Sequence, residues 1–221
     1  NNMGWHMTVE KLIGCELPKR AQYMRVIIME LSRIADHLVC NAVIGVDTGA
    51  LTGFTYMFQE RERIYDLFEE VCGSRLTTNV GRIGGMERDF TPRFHKLFKE
   101  FMDTFPARFE EFNNLLERNR IFMDRTIGAG PIKGERALEY GFTGPNLRAA
   151  GIDYDVRVMT PYSSYEDFEF DIPVGKDGDT YDRFMVRQEE MRQSLRIITQ
   201  AYKNLPDGAY HADVPDFYLP E

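Results

Sequence analysis

The chain has 221 residues, is 43% hydrophobic with 16 phenylalanines, and carries a formal charge of −8. That apolar content is enough for a packed core and excludes a disordered chain, while the acidic balance excludes nucleic acid as the main partner, because neutralising phosphates needs a basic face. No run of about 18 apolar residues occurs, so no segment reads as a membrane span.

The three cysteines, Cys15, Cys40 and Cys72, form no C-x-x-C pair and read as small hydrophobes in a reducing compartment. The chain begins at Asn1 without a methionine or a leader-like start, and so reads as a fragment from within a longer protein.

Residues 8–13 predict a short helix closed by Gly14, and Pro18 opens the next segment. Over residues 19–44, Met24, Ile27, Ile28, Leu31, Ile34 and Leu38 recur at steps of three and four, which marks one buried helical face. Gly45 and Gly49 flank Asp47 and end that pattern. A second helix is predicted over 52–71, with Ile64, Leu67, Phe68 and Val71 inward and Gly73 as its stop. Gly81, Gly84 and Gly85 predict a loop unsuited to any regular element. Thr91-Pro92 is a cap followed by Pro in the first turn of a helix bearing Phe94, Phe98, Phe101, Phe105, Phe109 and Phe112. Pro106 leaves that stripe in phase, so a kink rather than a stop is expected. Residues 127–175, rich in proline and glycine, predict an irregular wrap with a two-stranded ribbon around 169–172. Asp179 or Thr180 caps a last long helix, giving 179–203. The expected fold is mainly α, a helical bundle with a minor β-ribbon, and residues 1–221 read as a single domain.

No nucleophile signature appears, and His6, His37, His95 and His211 have no metal-binding spacing, so no metal site is expected. His37, one step from the apolar stripe, reads as a hydrogen-bonded core histidine. Glu60-Arg61-Glu62-Arg63 and residues 187–192 read as solvated helix faces with mixed pairs. Asp47, among Val43, Val46, Leu51 and Phe54, has two readings of equal weight: a cap for the helix entering at Leu51-Thr52, or a carboxylate placed against something polar or redox-active. Arg82, ringed by glycines, either holds backbone carbonyls or offsets the charge of a prosthetic group that the glycines let approach.

Five blocks in order carry a resemblance: E-L-S-R-I-A-D-H-L, F-Q-E-R-E-R-I-Y-D-L-F-E-E, R-I-G-G, N-R-I-F-M-D-R-T-I-G, and D-Y-D-V-R ending in T-P-Y. With V-E-K-L-I-G near the start and the helix from D-G-D-T-Y-D-R-F, they span nearly the whole chain. This text closely resembles the D subunit of respiratory NADH:quinone oxidoreductase (complex I), a family that shares ancestry with the large subunit of nickel–iron hydrogenases.

The resemblance implies a peripheral-arm subunit on the cytoplasmic side of a bacterial inner membrane. Its partners would be the smaller subunit carrying the terminal iron–sulfur cluster and the membrane subunit of the quinone channel. Quinone would be substrate, the cluster would sit on the partner, and NADH would be oxidised far away, so no cofactor is ligated by this chain. Asp47 matches the acid that pairs with a headgroup histidine and helps supply protons. Val39, Val43, Val46, Phe54 and Phe58 match positions lining the quinone tunnel, and Arg82 matches an arginine near the cluster.

The family's headgroup tyrosine and histidine would lie upstream of Asn1, so no activity is expected from these residues alone. Thr77 stands where the family commonly has a histidine, which implies a cluster whose midpoint potential hardly changes with pH, since a hydroxyl cannot take up a proton near neutrality. Two alternatives compete: a membrane-bound nickel–iron hydrogenase large subunit, which needs two C-x-x-C pairs that are absent from these residues, and a non-catalytic helical scaffold.

Overall fold

Residues 2–214 of the computed structural model are described. In chain order they form α1 (Asn2–Ile13), α2 (Lys19–Asp47), α3 (Leu51–Cys72), the strands β1 (Gly81–Arg82) and β2 (Gly85–Met86), then α4 (Pro92–Leu116) and α5 (Arg120–Thr126). Short helices α6 (Gly134–Glu139), α7 (Gly144–Ala149) and α8 (Val156–Met159) and a 3₁₀ turn at Tyr165–Asp167 follow, before α9 (Thr180–Lys203). The fold is mainly helical.

Helix α2 is the axis of the bundle. It packs along its length against α3 and α9, and α3 in turn packs against α4. Its apolar stripe is fully buried, and small residues Ala21, Ala35, Ala42 and Gly45 let the neighbouring helices close on it. Helix α4 buries all six phenylalanines of its stripe and continues through Pro106, while the Thr91 hydroxyl accepts from the Phe94 N–H at 3.0 Å as its cap. The Asp179 carboxylate caps α9 by accepting from Asp182 N.

Three expectations are corrected. The ribbon is at residues 81–86, in the glycine segment expected to be a loop. Ile83 and Gly84 (φ 94) make its turn, and β1 pairs antiparallel with β2, Arg82 opposite Gly85. Residues 169–172 form no strand, because side-chain amides of α9 take the place of a ladder: Gln200 bonds both the N–H and the carbonyl of Glu169, and the Gln193 side chain accepts from Asp171 N. Neither charged run is simply a solvated face. Glu60 is buried against Arg63, Arg61 lies over the rings of Phe58 and Tyr65, and Arg187, Gln188 and Glu190 are buried.

The wrap between α5 and α9 is bolted to the bundle by ions rather than by oil. The Glu30 carboxylate on α2, fully buried, accepts from Tyr165 OH (2.5 Å), Ser194 Oγ (2.6 Å), Arg157 Nη1 (3.1 Å) and Arg33 Nε (3.2 Å). Arg157 passes to Asp155 (2.7 Å), and Asp155 faces Arg148 (3.5 Å). Arg148 pairs with Glu190 on α9 (2.6 Å), and Glu190 accepts from His37 Nε2 on α2 (2.6 Å). His37 is thus the hydrogen-bonded core histidine its position suggests.

Burial alone would raise the Glu30 pKa, but the Arg33 and Arg157 guanidiniums, with the bonds from Ser194 and Tyr165, hold it below the usual carboxylate range. Glu190 is likewise held low, with His37 and Arg148 outweighing its burial, and Asp155 is held low by Arg157 against the same penalty. Burial lowers the His37 pKa despite Glu190, so the neutral ring donates from Nε2.

Glu30→Gln leaves Arg33 without its ion-pair partner and Arg157 with Asp155 alone, and is expected to cost about 3–5 kcal/mol in denaturant unfolding of the whole subunit. The pH dependence has a definite sign. All four groups have folded pKa values below their unfolded ones, so each contributes stability at high pH that is lost on acidification. Stability should be level between about pH 7 and 8, start to fall near 6.5 through His37 and His6, and fall faster below about 4.5 through the carboxylates. Melting curves across that range check it.

Candidate functional site at the α2–α3 bend

Helix α2 runs three residues beyond the predicted end and places Asp47 in its final turn, with Thr48 as C-cap. The bend satisfies its own helix-end carbonyls. Thr48 N and Oγ1 donate to Ile44 O, Gly49 N to Val46 O, and Ala50 N to Gly45 O. The N-cap of α3 is Ala50, without a side-chain cap, so Asp47 does not cap that helix and the first of its two readings falls.

The Asp47 carboxylate is exposed and makes no hydrogen bond or ion pair with the described residues. It stands at the negative end of the α2 dipole, where a carboxylate is disfavoured. Around it Val43 is 42% exposed, Val46 38% and Leu51 64%, an uncovered apolar collar about an unpaired acid.

Val39, Val43 and Val46 follow one another at helical spacing on one face of α2. Phe54 and Phe58, one turn apart on α3, stack with ring centroids at 4.1 Å and pack against the core edge. A groove of roughly 500 Å³ lies under the bend, between Thr48, Ala50, Gly53, Leu116, Phe122 and Arg125.

Thr77 and Arg82 are elsewhere. Thr77 is exposed, within reach of the Ser74 hydroxyl (3.3 Å), and lines a hollow of about 700 Å³ between α1, α2 and the loop after α3. Met3, Met7, Met29, Arg33 and Tyr162 share that hollow. Arg33 and Asp47 are fourteen residues apart on α2, about 21 Å at the helical rise, so bend and hollow are separate places on one rigid helix.

Arg82 donates to the carbonyls of Asn79 (2.8 Å) and Gly81 (2.9 Å) and pairs with Glu87 (2.7 Å), which are the contacts of a structural arginine. The glycines around it are explained by the chain itself. A Cβ on Gly84 would strike the Val214 side chain, and one on Gly85 would strike the Tyr210 carbonyl oxygen. Of the two readings of Arg82, these contacts agree with the one in which it holds carbonyls, and the space beside Gly84 and Gly85 is filled by the segment after α9, where His211 bridges to Gly85 and Met86 N donates to Tyr210 O.

Sequence reasoning missed the clamp that holds this ribbon. Arg25, fully buried in α2, binds Glu10 of α1 in a bidentate pair (2.6 and 2.8 Å) and donates to Arg82 O and Gly85 O, while Glu10 also accepts from Gly84 N. His6 packs beside Gly81 with a buried Nδ1 that lacks a partner, and its pKa is lowered by burial and by Arg25. Arg33 and Tyr162, in the wall of the hollow, were also missed. Among the described residues no three His, Cys, Asp or Glu side chains converge on a point, and no helix is long and apolar enough to cross a membrane.

Residues 47–221 match the family described as respiratory-chain NADH dehydrogenase, 49 kDa subunit, and the chain belongs to that family. It is 68% identical to one of the NADH-quinone oxidoreductase D subunits of Cytophaga hutchinsonii, the one numbered 2, with all of this chain and 57% of that protein covered. It is 65% identical to the D subunit of the same enzyme from Flavobacterium psychrophilum and 51% identical to that of Leptospira biflexa, each over the whole chain and 54% of the relative. The chain thus spans little more than half the length of these curated relatives.

Gly85→Ala is expected to displace the segment carrying Tyr210 and to cost roughly 1–3 kcal/mol through a clash that the fixed backbone cannot relieve. Hydrogen exchange reads it directly: protection should fall at Met86 N and Ala212 N, both bonded across this contact, while α9 keeps its protection.

Proposed function

We propose that the chain serves NADH:quinone oxidoreductase as a wall of the cavity in which quinone is reduced, with Asp47 as the acid of that cavity. The carrying observation is the unpaired Asp47 carboxylate at the end of α2, set in a collar of uncovered Val43, Val46 and Leu51. The carboxylate keeps this disfavoured position without an ion pair or hydrogen bond among the described residues, which supports a partner or substrate group as its counterpart. The names of the relatives, all D subunits of a quinone reductase, support this reading over the hydrogenase alternative.

Reduction of quinone to quinol consumes two electrons and two protons. The iron–sulfur cluster of the partner subunit supplies the electrons. Asp47 orients and reprotonates the donor to the headgroup. Val39, Val43, Val46, Phe54 and Phe58 give the isoprenoid-bearing substrate an apolar wall. Thr77 and Arg82 lie on the side of the cluster, where the Thr77 hydroxyl at the hollow can donate a hydrogen bond but carries no titrating proton. The partners are the cluster-bearing subunit and the membrane quinone-channel subunit, and the chain sits peripherally on the cytoplasmic face of the inner membrane.

In the assembled complex, Asp47→Asn is expected to lower quinone reduction on the order of 10²-fold, with reduction of the clusters by NADH intact. Turnover near wild type would remove Asp47 from the reaction. Potentiometry of the terminal cluster supplies a separate check. Its midpoint potential should be nearly flat with pH, and a slope of about 60 mV per unit would contradict the role given to Thr77.

A further inference from the structure

We propose that Arg125 is the positioning residue for Asp47, an inference that rests on the reading of the bend given above. Arg125 projects from α5 and donates from Nη1 to the Thr48 carbonyl at 2.5 Å, one residue beyond Asp47. The carbonyls of residues 44–46 are taken by the bend itself, so this bond is the one made to the bend's backbone from another helix among the described residues. Gly49, at φ 89, passes so close that a Cβ there would lie 3.0 Å from the same guanidinium nitrogen.

The other end of the tether is fixed. Asn119 caps α5, and Phe122 packs edge-on against Phe184 of α9 at 4.8 Å. Just past α5, Gly128 N donates to the Asp179 cap of α9. Through Arg125 the position of the bend is therefore referred to α9, the same helix that carries Glu190 and Ser194 of the buried ion chain.

Charge points the same way. Arg125 forms no ion pair among the described residues, unlike the arginines of the core. Its cation stands at the C-terminal end of α2, where it opposes the dipole that disfavours the Asp47 carboxylate. Removing it should let the bend drift and leave the acid at the negative helix end without that support. A displacement of about 1 Å at a reacting group can cost as much as 10²-fold in rate.

The test is a double-mutant cycle in the complete membrane complex, with cluster reduction by NADH as the check on assembly. Arg125→Met is expected to lower kcat/KM for a short-chain quinone roughly tenfold or more, and Arg125→Lys, which keeps charge and a donor, to recover most of it. In the Asp47→Asn background, Arg125→Met should have no further effect, because its loss acts through that carboxylate. Arg125→Met at wild-type rate, or losses that multiply in the double variant, would overturn the proposal. If Arg125→Met does not assemble, Arg125→Gln is judged by the same two criteria. A wild-type rate in Asp47→Asn itself would strike the reading of the bend, and a damaged Asp47→Asn beside an unaffected Arg125→Met would strike this inference alone.

Discussion

The structure depends on one buried chain of charge: Tyr165, Glu30, Arg157, Asp155, Arg148, Glu190 and His37, each bonded or paired to the next. Helix α2 contributes Glu30 and His37 to that chain, α9 contributes Glu190 and Ser194, and the irregular wrap contributes Tyr165, the two arginines and Asp155. An ion pair out of water gains little over a hydrophobic substitute, but breaking one half is costly, so such a chain fixes geometry more than it adds stability. Here it fixes how a nearly featureless wrap sits on two helices, something apolar packing between short helices could not do alone.

That frame explains why the bend can tolerate an acid without an ion-pair partner. Helix α2 is clamped at its start by Glu10–Arg25, in its middle by Glu30 with Arg157, and past its middle by His37 with Glu190. Its last turn, carrying Val43, Val46 and Asp47, projects beyond these clamps with its side chains uncovered. Rigidity along the helix and openness at its end are opposite demands, and they are met by different residues. The hollow at Thr77 lies near the other clamp, about 20 Å away along the same helix, so a single rigid element relates the two places.

Much of the helical layout was legible in the sequence. The three-four spacing of Met24 to Leu38, the phenylalanine stripe, the Thr91 cap, the Gly73 stop and the Asp179 cap each follow from local physics that tertiary contacts did not override. The ribbon was misplaced because Gln193 and Gln200 imitate strand partners for residues 169–172, and glutamines on a helix face give no such signal. The buried charges were missed for a different reason. Their phase carries the signal: Val26, Glu30 and Ile34 lie on one face, as do Val186, Glu190 and Ser194, and in each case the acid is in register with buried neighbours, whereas composition alone reads the run at 187–192 as solvated. At the candidate site, the sequence left Asp47 balanced between cap and function. Only coordinates could remove the cap reading, because it turned on which residue, Ala50, occupies the N-cap of α3.

At the centre stands the idea that the last turn of α2 faces a closed chamber once the subunit is in its assembly. A structure of the complete complex with a quinone-site inhibitor bound tests this most directly. The expected result is an Asp47 carboxylate excluded from bulk water within the chamber that holds the inhibitor, with Val43, Val46 and Phe54 covered by the inhibitor or by neighbouring subunits. An Asp47 carboxylate still open to solvent, on a face that neither a partner nor the inhibitor approaches, would contradict it.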